Sequence, residues 1–126
     1  MPVPEDRLYS KEHEWALIQS DGSVIVGITD FAQHELGDVV YLELPSQGAN
    51  VIQHQQMGEI ESVKAVSEVF SPVSGVVLEV NTSAQDSPEL VNSSPYEEGW
   101  LIKVQPSDEA ELKSLLDAKD YVALTE

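Results

Sequence analysis

Short apolar runs separated by turn-forming residues dominate the hydropathy pattern of the chain, and they predict a mainly β protein. Runs at 15–19 and 24–28 flank a turn at 20–23 that contains Asp21-Gly22, and an Asp-Gly pair between two such runs is a typical β-hairpin signal. Frequent short strands with turns between them are typical of a β sandwich or barrel. The further strand-like runs lie at 39–44, 51–52, 58–63, 65–70, 75–80 and 100–104.

Two segments carry helix signals. Thr29-Asp30 can cap a short helix at 31–36, and Gly37 is a typical helix stop. The second helix is predicted at about 108–118, where acidic residues in the first turn precede leucines at helical spacing. The leucines expected on its buried face are Leu112, Leu115 and Leu116.

The length and the connecting segments indicate one domain. A chain of 126 residues suits a single moderate core. The segment 81–99 is rich in proline, asparagine and serine and is predicted to be a loop, and no domain boundary is evident. We therefore predict a single domain over residues 1–126, with the C-terminal helix packed on the outside of the β structure.

Acidic residues dominate the charge of the protein. It has 23 acidic against 6 basic residues and a formal net charge of −17. Such a surface repels nucleic-acid phosphates and anionic lipids and favours partners with basic docking patches. Solubility alone is the alternative explanation of this charge.

Composition also limits the kinds of reactive site that the chain can form and the cell compartment in which it is expected. The chain has no cysteine, which excludes disulfides, thiolate metal sites and a thiol nucleophile. His13, His34 and His54 lack the spacing of metal ligands. No apolar run is long enough to span a membrane, and the first residues lack the pattern of a secretory leader. We expect a protein of the bacterial cytoplasm, ahead of a processed form in the mitochondrial matrix.

Lys64 stands out by its isolation and by the symmetry of its surroundings. It is the only lysine or arginine between Lys11 and Lys103, and residues 61–68 read nearly as a mirror. A two-residue turn at Lys64-Ala65 would place the lysine at an exposed apex, although tight turns favour glycine or asparagine, and broken local rules often mark functional places. An exposed lysine kept for solubility is the alternative. The facing pairs predicted for this hairpin are Val63 with Val66, Ser62 with Ser67, and Glu61 with Glu68.

Three stretches of the chain, in order, carry a resemblance to a known family. The central motifs are Gly58-Glu59-Ile60-Glu61-Ser62-Val63-Lys64-Ala65 and Ser71-Pro72-Val73-Ser74-Gly75. The earlier motifs are His13-Glu14-Trp15, Val26-Gly27-Ile28-Thr29, Leu36-Gly37-Asp38, Leu44-Pro45 and Gly48. The later residues are Asn81, Pro88, Leu90, Asn92, Pro95-Tyr96 and Gly99-Trp100. Together they resemble the glycine cleavage system H protein family over nearly the whole chain.

The resemblance implies that Lys64 carries lipoate in amide linkage. It also implies that Glu61, three residues before the lysine, and Gly75, eleven after it, take part in recognition by the lipoate-attaching enzyme. The implied fold is the hybrid barrel-sandwich of lipoyl and biotinyl domains, with the central lipoyl hairpin at about 57–80. Biotin carriers usually flank their lysine with methionines, whereas this lysine lies between a valine and an alanine, which favours lipoate.

The same resemblance implies a carrier and not an enzyme. It would shuttle an aminomethyl group from a pyridoxal-phosphate glycine decarboxylase to a tetrahydrofolate-dependent aminomethyltransferase, and electrons to dihydrolipoyl dehydrogenase. The cofactor and the partner enzymes supply the chemistry, and the protein supplies tethering. We expect a monomer that binds neither nucleic acid nor membrane. Two alternatives are an H-like protein that relays lipoate to other complexes and an unmodified acidic binding module.

A cleft for the arm is implied by the His-Glu-Trp segment, in which the acid of the family's cleft matches Glu14. The hypothesis is that its carboxylate holds the cationic amine of the loaded arm, and the alternative is a solvated surface glutamate. Two departures bear on this cleft. Glu12 stands where the family usually has serine, and Glu35 stands where many members have histidine, with His34 one place away.

Overall fold

The computed structural model describes residues 3–125 and divides their strands between two antiparallel sheets. Met1, Pro2 and Glu126 lie outside the described residues, and so does the part of the leader prediction that rests on the first two. The strands are β1 (Leu8–Tyr9), β2 (Glu14–Ile18), β3 (Val24–Ile28), β4 (Val39–Glu43), β5 (Asn50–Val51), β6 (Gln56–Ser62), β7 (Val66–Phe70), β8 (Gly75–Val80) and β9 (Ile102–Pro106). The helices are α1 (Asp30–Leu36), α2 (Thr82–Asp86), α3 (Leu90–Ser93), a 3₁₀ helix (Glu109–Ser114) and α4 (Ala118–Thr125).

The larger sheet has six strands in the order β1-β2-β3-β9-β8-β5, and the smaller has three in the order β4-β6-β7. The main core lies between them, because each strand turns alternate side chains inward. In β6, Gly58, Ile60 and Ser62 are buried while Glu61 is exposed. Each fully buried aliphatic side chain contributes about 1.5–3 kcal/mol to stability. The prediction of a mainly β protein with a short internal helix is confirmed.

The local signals around β2, β3 and α1 are confirmed closely. The hairpin joins β2 to β3 in the predicted place, with Ile18 opposite Val24. The Thr29 hydroxyl accepts a 3.2 Å hydrogen bond from the Ala32 N–H and so caps α1. Gly37 ends the helix with φ of 80°, a left-handed conformation that favours glycine.

A second core cluster joins α4 to the first strands, and its buried members are Tyr9, Trp15, Ala118 and Tyr121. The rings of Tyr9 and Tyr121 stack with centroids 4.8 Å apart. Trp15 donates its indole N–H to the carbonyls of Ile28 and Pro95. Because these contacts join both ends of the chain, the C-terminal helix is part of the packed structure.

The predicted helix at 108–118 is wrong in its form and its end. Asp108 caps a 3₁₀ helix that stops at Ser114, and α4 follows only from Ala118. Between them, Leu116 exchanges two backbone hydrogen bonds with Tyr9, which extends the edge of the six-stranded sheet and breaks the helix. Asp117 then caps α4 by accepting from the Asp120 N–H. The second capping aspartate is the sequence signal that the prediction overlooked.

The segment 81–99 is more ordered than predicted, since it holds α2 and α3. Asn81 caps α2 through the Ala84 N–H and also donates to the carbonyls of Glu98 and Trp100. α3 packs beside α1. Over the described residues, no helix has both the length and the apolarity needed to cross a membrane. The prediction of one domain over 1–126 stays a prediction.

Candidate functional site

The tip of the β6–β7 hairpin presents Lys64 at its apex, but in a different register from the predicted one. The observed pairs are Glu61 with Val66, Ile60 with Ser67, and Glu59 with Glu68. The two residues of the turn are therefore Val63 and Lys64, and the predicted turn at Lys64-Ala65 is wrong by one position. The predicted facing pairs, which opposed Glu61 to Glu68, are wrong by two positions.

The buried Ser62 hydroxyl sets this register. It accepts from the N–H groups of Lys64 (3.3 Å) and Ala65 (3.1 Å) and donates to the Ala65 carbonyl (3.2 Å). The Ser62 N–H donates to the same carbonyl at 2.8 Å. A serine side chain thus satisfies backbone groups that a tight turn leaves unpaired. The turn needs no positive φ at Val63 or Lys64.

The tip is exposed, yet its backbone is anchored to a neighbouring connection. Val63 is 69% exposed, and Lys64 is exposed as well. The Val63 N–H donates to the Asp38 carbonyl at 3.0 Å, in the connection between α1 and β4. The Lys64 stem lies beside Gly37, with its Cε 3.5 Å from where a Cβ on that glycine would stand. Among the residues described, the Lys64 ammonium forms no ion pair, so an enzyme can approach it freely.

Glu61 lies on the outer face of the three-stranded sheet, close to the tip. It is flanked there by Tyr41 and Val66, both more than half exposed. The next row of the same face aligns the carboxylates of Glu43, Glu59 and Glu68. Like charges aligned across a sheet repel one another, so this acidic face is unfavourable by itself and suits contact with a basic partner.

Gly75 lies at the other end of the hairpin and has a clear packing reason to be glycine. It is buried at the start of β8, opposite Val51 and Pro106. A Cβ there would overlap the Gln105 carbonyl oxygen. Because Phe70 follows Lys64 by six residues, about 20 Å of strand separates the tip from this end. The structure therefore does not bring Gly75 to the lysine.

Glu14 is buried, so its interpretation as a solvated surface glutamate is wrong. It is 2% exposed, and its carboxylate accepts from the Ser10 hydroxyl (2.6 Å) and the Phe70 N–H (3.2 Å). The second contact joins β2 to the last residue of β7. Burial is the main cause that raises the pKa of Glu14 to about 8, and both hydrogen bonds oppose it.

Glu12 and Glu35, which differ from the residues usual in the family that the sequence resembles, lie on the surface. Glu12 lies 3.3 Å from His54 Nδ1, with both side chains partly exposed, and His34 and Glu35 are exposed on α1. His13 is partly buried, with Nδ1 2.7 Å from the Tyr121 hydroxyl, and this burial lowers its pKa.

Sequence reasoning missed the groups that hold the tip. Ser62 entered only as half of a mirrored pair, and Asp38 only as part of a motif. Ser62, directly before the turn, was the signal available in the sequence. Serine hydroxyls commonly form hydrogen bonds with backbone groups two or three residues further along the chain. The Asp38 carbonyl gave no signal, because any residue carries one.

Comparison with known proteins matches the chain to one family over nearly its whole length. The family model described as "Glycine cleavage H-protein" matches residues 7–126. The glycine cleavage system H protein of Oceanobacillus iheyensis is 55% identical over 123 residues, covering 98% of this chain and 97% of that protein. That of Anaeromyxobacter sp. strain K is 52% identical over 126 residues, covering 100% and 98%.

A solved structure agrees with these relatives. The crystal structure of a glycine cleavage system H protein from Mycobacterium marinum superposes with a TM-score of 0.91, at 41% identity and over 98% of each chain. That likeness confirms the predicted lipoyl-type barrel-sandwich fold. The chain belongs to the glycine cleavage H-protein family.

Proposed function

We propose that this protein is the lipoate-bearing carrier subunit of a glycine cleavage system, with lipoate joined by an amide bond to Nζ of Lys64. The observation that carries the proposal is the position of this lysine, exposed at the apex of a two-residue turn whose backbone is held by Ser62 and Asp38. The protein is a carrier subunit and not itself a catalyst.

The residues at the tip fit a covalently tethered cofactor. The exposed amine can enter the active site of a lipoate-attaching enzyme, and its exposed neighbours at 63, 65 and 66 leave the arm room to swing. When attached, lipoate supplies a disulfide that accepts the aminomethyl group and electrons. This chain supplies the tether, which raises the local concentration of that group at each docked enzyme.

The acidic face beside the tip supports the proposed partners. Glu61 and the row of Glu43, Glu59 and Glu68 surround the approach to the lysine with negative charge. The proposed partners are glycine decarboxylase, aminomethyltransferase, dihydrolipoyl dehydrogenase and a lipoate-attaching enzyme, each engaging a monomeric carrier in the bacterial cytoplasm. Basic surfaces on these enzymes would be steered to the tip. Glu61 would act there as the recognition residue nearest to the lysine.

Glu14 and Gly75 have different roles in this proposal. The contacts of Glu14 support a role in joining β2 to the base of the hairpin. For its carboxylate to hold the amine of the loaded arm, the arm would have to reach a side chain that is only 2% exposed. Gly75 would assist recognition by keeping β8 and β9 in register behind the hairpin.

Intact-mass measurement after incubation with lipoate, ATP and a purified lipoate ligase tests the attachment site. We expect the wild-type mass to rise by one lipoyl group and the Lys64→Arg mass to stay unchanged. Lys103→Arg is the matched control and should be modified like the wild type. An unmodified wild-type protein would favour the acidic binding module instead.

A second experiment separates glycine cleavage from lipoate relay. Lipoylated protein is mixed with purified glycine decarboxylase and glycine ¹⁴C-labelled at its α-carbon, since the carboxyl carbon leaves as carbon dioxide, and label on the carrier is counted. Glycine-dependent loading that requires Lys64 supports the proposal. Lipoylation without any loading would favour the relay function. If Glu14 holds the loaded amine, Glu14→Ala should shorten the lifetime of the loaded protein, and an unchanged lifetime would exclude that role.

A further inference from the structure

Asn92 lies on α3, far from Lys64 in sequence, and its side-chain amide binds the end of α1 and the connection that leads to β4. Its Oδ1 accepts from the Val39 N–H at 2.8 Å. Its Nδ2 donates to the Gly37 carbonyl (2.8 Å) and to the Gln33 side chain (2.9 Å). An asparagine amide has two donor hydrogens and one acceptor oxygen, so all three groups are used on one short segment.

The same connection holds the lysine turn on its other side. The carbonyl of Asp38, which lies between Gly37 and Val39, accepts from the Val63 N–H at 3.0 Å. The Lys64 stem lies against Gly37, whose carbonyl Asn92 binds. Residues 37–39 therefore lie between Asn92 and the attachment lysine, and a displacement of this segment moves the turn.

We propose that Asn92 is a positioning residue for Lys64, which fixes residues 37–39 and through them the place at which the lysine is presented to the attaching enzyme. The Asn92 side chain makes its hydrogen bonds to residues 33–39 and none to Lys64, so it acts only through the connection. The hairpin tip has few other restraints, because its side chains are exposed and its remaining hydrogen bonds are internal to the turn.

Asn81 offers a matched control. It also makes three side-chain hydrogen bonds, two as donor to the carbonyls of Glu98 and Trp100 and one as acceptor from the Ala84 N–H. The bond from Ala84 caps α2, the other two hold the segment 98–100, and none of the three is made to residues 37–39. Asn92→Ala and Asn81→Ala therefore each remove two donated bonds and one accepted bond, and they differ in whether residues 37–39 lose their partner.

The test measures native-state amide exchange and lipoylation kinetics in both variants. For Asn92→Ala we expect the Val63 amide to exchange about tenfold faster and kcat/KM for the purified lipoate ligase to fall by about tenfold. Asn81→Ala should leave both quantities within about twofold of the wild type at a temperature where both variants are folded. Equal effects of the two variants, or an unchanged Val63 amide in Asn92→Ala, would overturn the proposal.

If the alanine variant does not fold, Asn92→Asp is used in its place. This substitution keeps the shape of the side chain and its acceptor oxygen but loses both donor groups. It should also speed Val63 exchange, and protection equal to the wild type would overturn the proposal. The lipoylation readout rests on the proposed function of Lys64, whereas amide exchange does not. A wild-type protein that accepts no lipoate would refute the proposed function, and Val63 exchange would still decide the role of Asn92.

Discussion

The two ends of the β6–β7 hairpin differ in burial and in the groups that hold them. At the tip, the turn is exposed and is held by the Ser62 hydroxyl and one backbone bond to Asp38. At the base, the Phe70 N–H donates to the buried carboxylate of Glu14, so the last residue of β7 is tied to the opposite sheet. One end offers a side chain to solvent, and the other is built into the core.

The turn that follows β7 is clamped further by the C-terminal segment. The N–H and hydroxyl of Ser74 donate to the two carboxylate oxygens of Glu111, at 2.8 and 2.7 Å, and the Gln53 N–H donates to the same hydroxyl at 2.9 Å. A firmly held base lets an exposed tip keep a defined position. Substitutions at the base should therefore change stability, and those at the tip should change presentation of the lysine.

The largest expected effect is a pH dependence of the stability of the protein, caused by Glu14 at the base of the hairpin. Burial raises its pKa from an ordinary 4.5 to about 8 in the folded protein. Because the folded pKa is the higher one, the stability from this group is complete below pH 4.5 and is lost as the pH rises toward 8. Glu14→Gln cannot titrate, so it should lose less stability than the wild type between pH 5 and pH 8. Urea midpoints measure this, and equal pH dependences would contradict it.

Gly75→Ala should be the next largest change. Its Cβ would overlap the Gln105 carbonyl, so β8 and β9 must shift, at a cost of about 3 kcal/mol in the free energy of unfolding. The adjacent Val76→Ala, at a side chain that is 41% exposed, is the control and should be nearly neutral. If urea unfolding finds Gly75→Ala as stable as the wild type while its lipoylation fails, Gly75 contacts the attaching enzyme directly.

One substitution made at both ends compares them directly. Val73 is fully buried at the base, whereas Val63 is 69% exposed at the tip. Val73→Ala should lower the free energy of unfolding by about 2 kcal/mol, from lost methyl burial and the cavity left behind. Val63→Ala should stay within about 0.5 kcal/mol of the wild type. Equal losses in urea denaturation would mean that the tip is packed against the core as firmly as the base.

Ser62→Ala should have a small effect on stability but a specific effect at the tip. It removes the hydroxyl that bonds Lys64 and Ala65, at a cost of about 1 kcal/mol. The rate of lipoylation by the purified ligase should fall more than stability predicts, because the turn loses its register. Ser67→Ala is the control, since the Ser67 hydroxyl makes no hydrogen bond within residues 3–125. The same rate in both variants would argue against this role of Ser62.

The sequence by itself determined the elements whose signals are local. Short apolar runs between turn residues located most of the strands, Thr29 and Gly37 bounded α1, and the isolated Lys64 was placed at a hairpin apex. Motifs spread along the whole chain indicated the family. These inferences succeeded because periodicity, capping and turn chemistry act between residues close in sequence.

Only the tertiary structure decided the rest. A shift of two residues leaves the same side chains facing the core, so hydrophobic pattern could not choose the register at Lys64, and the Ser62 hydroxyl did. The helix predicted at 108–118 is interrupted because Leu116 forms backbone hydrogen bonds with Tyr9. Asn92 holds Val39 across 53 residues, and Glu14 meets Phe70 across 56. Hydrogen bonds between such distant residues follow from the packing of helices and sheets against one another, which no local pattern encodes.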